Sequence, residues 1–125
     1  MRARAAIAIV LVGLAACVAS DVYLNTVDEY SSGVDFGLVA WNLLPFGILA
    51  GVVAISRVSL PAAAFATFLM AAFVLFAFWA EAQDLQSDDP SSTGEIILAI
   101  GPFYDAVLIG IVCGVDAVVR LVRRR

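Results

Sequence analysis

The sequence predicts an all-α integral membrane protein with four transmembrane helices and both termini in the cytoplasm. Three observations carry that expectation. Of 125 residues, 63% are hydrophobic and 14% charged, with a mean hydropathy of +1.02. Soluble domains average about 45–50% apolar and about 25% charged, and a small domain buries only a modest share of its surface. Second, four stretches reach the roughly 20 apolar residues that a bilayer crossing needs. Third, the arginines all flank the same ends of those stretches. Residues 1–125 read as a single four-helix membrane domain.

The first span covers residues 5–24 and follows Arg2 and Arg4. A basic start before an apolar run is also the pattern of a secretory signal. Leu14, Ala15, Ala16 and Cys17 resemble a bacterial lipobox, which would imply cleavage before Cys17 and acylation of its thiol. The apolar run continues past Cys17 to Leu24, long enough to span, so an uncleaved helix is the favoured reading. The second span, residues 36–55, contains Asn42 and Pro45. A proline inside a helix removes one backbone donor, so a kink is expected near Pro45. A short link with Arg57 leads to the third span, residues 61–80, rich in alanine and phenylalanine. The fourth, residues 96–119, contains Gly101, Pro102, Asp105 and Asp116, with a second kink expected at Pro102. An Arg-rich tail, residues 120–125, follows.

The charge distribution sets the orientation. All seven bases are arginine: Arg2, Arg4, Arg57, Arg120, Arg123, Arg124 and Arg125. The positive-inside rule places these segments in the cytoplasm, with Arg57, Arg120 and Arg123 as anchors. Asp21, Asp28, Glu29, Asp35, Glu81, Asp84, Asp88, Asp89 and Glu95 fall on the other side. They read as a solvated acidic surface, with cation binding there as the sharper alternative. The polar loop at residues 87–94 lacks the ligand spacing of an EF-hand.

Sliding the chain against itself by 63 residues suggests two tandem helical hairpins. Gly47 falls on Gly110, Gly51 on Gly114, Val52 on Val115, Ala54 on Ala117 and Arg57 on Arg120. Trp41 and Asn42 fall on Tyr104 and Asp105. Parallel repeats of this kind are related by a two-fold axis along the membrane normal.

At about 100° per residue, Asp105, Ile109, Cys113 and Asp116 share one face of the fourth span, with Gly110 and Gly114 opposite. The second span repeats this, with Gly47 and Gly51 opposite Asn42. Gly-x-x-x-Gly faces allow close backbone approach in lipid. The alanine-rich first and third spans are the expected partners; direct glycine-to-glycine packing of spans two and four is the competing arrangement. Asp105 is the most informative residue, because a carboxylate at the bilayer centre costs about 2.5–3.5 kcal/mol. Asn42, Tyr104 and Thr67 are its candidate polar partners. Asp105 near the outer surface is the plainer alternative. Asp116 and Arg120 form an acid-before-base pair at i, i+4.

No nucleotide-binding glycine loop, zinc pattern or nucleophile–base pair is present, the chain has no His, and its two Cys residues cannot make a structural zinc site. No catalytic residue, metal, cofactor or nucleic-acid partner is expected. The expected partners are the lipid bilayer and either further copies of the chain or another membrane protein. The favoured function is a structural or accessory helix-packing component. A small oligomeric transporter coupling protons or cations at Asp105 is the alternative, and a processed lipoprotein-like protein the second alternative.

Overall fold

A computed structural model describes residues 2–27, 36–86 and 93–125. Four α-helices occupy them: α1 Arg2–Val27, α2 Phe36–Ile55, α3 Leu60–Gln86 and α4 Thr93–Arg123. α2 has the bounds the apolar run predicts, whereas the other three outrun theirs. Arg120 and Arg123 belong to the last turns of α4 rather than to a separate tail. No residue there breaks a helix, and positive side chains suit a helix C-terminus. Both α2 and α4 continue unbroken through Pro45 and Pro102. α1, α2 and α3 are each long and apolar enough to cross a membrane.

α1 packs along α2 and α3, α3 packs along α4, and α2 closes the set against α4. α2 also touches α3, while the backbones of α1 and α4 do not approach closely among the described residues. A two-fold exchange of the two hairpins would make those last two pairs equivalent. The helix contacts do not carry that exchange. Trp41 lies beside Ala99 and Phe103, with ring centroids of Trp41 and Phe103 5.7 Å apart.

Close approach of α1 and α2 depends on Gly13. A Cβ at Gly13 would lie 2.3 Å from Cγ of Phe46, a ring that is fully buried. Small residues at helix crossings are the usual route to packing in lipid. Leu49 and Val53 of α2 belong to one buried cluster with Met70, Val74 and Phe78 of α3. Phe65, Phe68, Phe76 and Trp79 of α3 point outward. An apolar exterior is what a helix assembly presents to hydrocarbon.

The link between α2 and α3 joins the assembly at one end. Ser59 caps α3 by accepting the Ala62 N–H at 3.3 Å. Its own N–H donates to Asp116 Oδ2 at 3.1 Å, and its hydroxyl donates to Asp116 Oδ1. The first turns of α1 lie beside the first turns of α3, with Ala5, Ala8 and Ile9 near Leu60, Ala63 and Ala64. The N-terminus of α1, the link and the C-terminus of α4 therefore share one end, and all seven arginines are at it.

Candidate functional site: polar groups inside the helix assembly

Asp105 is 3% exposed and faces the interior of the helix assembly. It shares that inward face with Gly101 and Ile109, one turn above and below. The neighbouring Gly101 brings α4 close to α3: a Cβ there would lie 3.0 Å from Cε1 of Phe73 and 3.8 Å from Oδ1 of Asn42. Asn42 is buried with Asp105, level with the turn before it. Its Nδ2 donates to the Leu38 carbonyl in its own helix at 3.0 Å, and no hydrogen bond joins it to Asp105 among the described residues. Cys17 of α1 is fully buried and within electrostatic reach of Asp105. Thr67 of α3, also buried, donates its hydroxyl to the Ala63 carbonyl at 2.7 Å. Each helix thus turns a polar or polarisable side chain inward.

Tyr104 does not join this set. It is 61% exposed and stands against Phe73, ring centroids 6.4 Å apart. One residue is about 100° of helix, so a neighbour of an inward Asp105 is carried to the outside.

Two acids assigned to a solvated surface lie inside instead. Asp21 of α1 and Glu81 of α3 are both buried, as is Ser20. Helical phase is the reason. Cys17, Ser20, Asp21 and Leu24 form one inward stripe at i, i+3, i+4, i+7, and Glu81 follows Val74, Ala77 and Phe78 on another. The phase was readable in the sequence, but hydropathy sums charge without regard to facing. Asp28, Glu29, Asp35, Asp88, Asp89 and residues 87–92 of the polar loop lie outside the described residues. No three described Cys, Asp or Glu side chains come together as a metal-holding group.

The glycine faces are also turned differently from either expected arrangement. Gly47, Gly51, Gly110 and Gly114 are exposed, and a Cβ at any of them would meet nothing within 4 Å. α2 and α4 each present one polar and one glycine face, and only one can face the other helices. Keeping a carboxyl and an amide out of hydrocarbon outweighs one close backbone contact.

Near the arginine-rich end, Asp116 pairs with Arg120 at 3.0 Å, the i, i+4 pair expected from the sequence. Its two bonds from Ser59, a residue 57 positions earlier, were not foreseeable from local spacing. Trp41 adds a second tie between elements: its indole N–H donates to the Ala99 carbonyl at 2.9 Å. Ala99 lies beside Leu98, whose carbonyl loses its helical donor to Pro102. Cys17 and Cys113 are both free.

These features define a class: an all-helical membrane protein with polar side chains gathered between its helices. The chain matches no family model, no curated protein and no solved structure.

Proposed function

We propose that the chain is a structural or accessory component of a membrane, crossing it four times with both termini in the cytoplasm and packing against further copies or another membrane protein. The observation that carries this reading is the outward pair of glycine faces on α2 and α4. Empty space at four Cβ positions leaves room for a neighbouring backbone, and Gly-x-x-x-Gly is a common seat for one. The orientation is supported by the gathering of all arginines at one end. α4 is taken as the fourth crossing because Asp105 is turned away from its outer surface.

An intact first helix fits this reading better than cleavage before Cys17. Gly13 seats Phe46, and residues 5–12 line one side of a groove against α3. Native mass spectrometry tests both parts. It should show the mass of the unprocessed N-terminus and a self- or hetero-complex that Gly51→Leu with Gly114→Leu weakens. A chain that remains monomeric and purifies alone, in mild detergent and in nanodiscs, sinks the packing role.

The burial of Asp105 near Asn42 and Cys17, with Asp21 and Glu81 buried elsewhere, favours a second reading: proton- or cation-coupled transport centred on Asp105. Under the packing role, Asp105→Asn alters assembly. Proton or cation flux in proteoliposomes, abolished by Asp105→Asn with assembly unchanged, would establish transport instead.

A further inference from the structure

The arginine-rich end contains a small cavity of about 250 Å³ between the α2–α3 link and the last turns of α4. Arg57, Arg120 and Arg124 line it, with Ala117 and Leu121 between them. Arg120 is held at 3.0 Å by Asp116. Among the described residues, Arg57 and Arg124 have no carboxylate within ion-pair distance. Of the three arginines that line the cavity, only Arg120 is paired with a carboxylate, leaving two positive charges without an acidic partner among the described residues. The C-terminal end of α4 contributes only about half a negative charge against them.

We infer that this cavity binds the phosphate headgroup of an anionic membrane lipid. The planar fork of arginine matches phosphate oxygens two at a time, which suits a phosphodiester better than a diffuse surface charge does. Basic pockets between helices on the cytoplasmic side are where anionic headgroups bind. Arg120 is positioned in advance, because the Asp116 that holds it is itself held by two donors of Ser59. Beside the same clamp, α3 and α4 leave an apolar groove of about 450 Å³ walled by Phe65, Ile111, Val112 and Val115. An acyl chain fills such a groove, while a free phosphate ion gains nothing from it. The assignment rests on the proposed orientation, which sets this end at a membrane surface.

The test uses the full chain in detergent and in nanodiscs, probed with phosphatidylglycerol, phosphatidylcholine and inorganic phosphate separately. The variants are Arg57→Gln with Arg124→Gln, and Arg2→Gln with Arg4→Gln as an equal loss of charge on α1, outside the cavity. Arg120 is left in place because neutralising it also frees Asp116. The expected result is retention of phosphatidylglycerol over phosphatidylcholine, weakened roughly thirtyfold by the first pair, at about 1 kcal/mol per arginine. The second pair should change it less than about threefold, and phosphate should not compete at equal concentration. Equal weakening by both pairs, no preference for the anionic lipid, or displacement by inorganic phosphate would each overturn the assignment. Alkaline extraction of the chain from vesicles separates the two levels. Release into the supernatant defeats membrane insertion itself, whereas retention without lipid preference defeats only the headgroup site.

Discussion

Asp116 does more for the fold than its local sequence implies. One carboxylate accepts the Ser59 N–H and hydroxyl and pairs with Arg120, so it ties α4 to the link that starts α3. Ser59 acts twice, since its oxygen also caps α3. Loss of an N-cap costs about 0.5–2 kcal/mol, and loss of a hydrogen bond to a charged group about 1.5–3 kcal/mol. Ser59→Ala is therefore expected to destabilise the protein by about 2 kcal/mol, and Asp116→Asn by less, because the amide oxygen still accepts one bond. Residues joined in this way are not additive. In a double-mutant cycle followed by denaturant unfolding, Ser59→Ala with Asp116→Asn should cost less than the two single changes summed. A strictly additive cycle would show that the two side chains act apart. The Arg120 half of this arrangement was legible, because helical spacing of four is local. The Ser59 half was not, because it depends on where a link falls against a helix far along the chain.

Among the elements, not all glycines have the same role. Gly13 sits where α2 presses on α1, and its absent side chain is the space that Phe46 occupies. Overfilling a packed contact costs about 1–3 kcal/mol. Gly13→Ala should lower the unfolding midpoint accordingly. Gly51→Ala should not lower it, since nothing stands within 4 Å of its Cβ and alanine favours helix over glycine by about 1 kcal/mol. Equal responses in a thermal melt would refute this distinction. The sequence pattern drew attention to the four repeated glycines and passed over Gly13, which lies in an alanine-rich run with no polar residue to mark its facing. Element existence was legible because 20-residue apolar runs are long, unambiguous signals, and Phe36–Ile55 is the run itself. Which face of α2 and α4 turns inward was not, since the sequence shows that Asn42 and Gly47 oppose each other but not which meets the neighbouring helices. The cost of polar groups in hydrocarbon decides it, and the same rule carries Asp21 and Glu81 inside.

The whole molecule has arginines at one end only and apolar side chains over its flanks. With the proposed cytoplasmic orientation, a fluorescent protein fused after Arg125 should glow, while an alkaline phosphatase fused there should remain inactive. An active phosphatase would invert the topology. The 63-residue pairing illustrates the limits of reading architecture from self-similarity. Gly47 with Gly110 and Arg57 with Arg120 match in sequence because glycine stands on the exposed face of each helix and arginine at the same end of the assembly. Two helices can acquire such matches without sharing neighbours. The backbones of α2 and α3 approach each other while those of α1 and α4 do not among the described residues.

The Ser59 clamp also bears on the order of events during synthesis. Its acceptor is 57 residues downstream of its donors, so the link between α2 and α3 emerges first and waits for α4. Until Asp116 arrives, the Ser59 N–H and hydroxyl must find water or lipid headgroups. A nascent chain ending before that point carries an open seam at this end, and delivery of the last helix is the step that seals it.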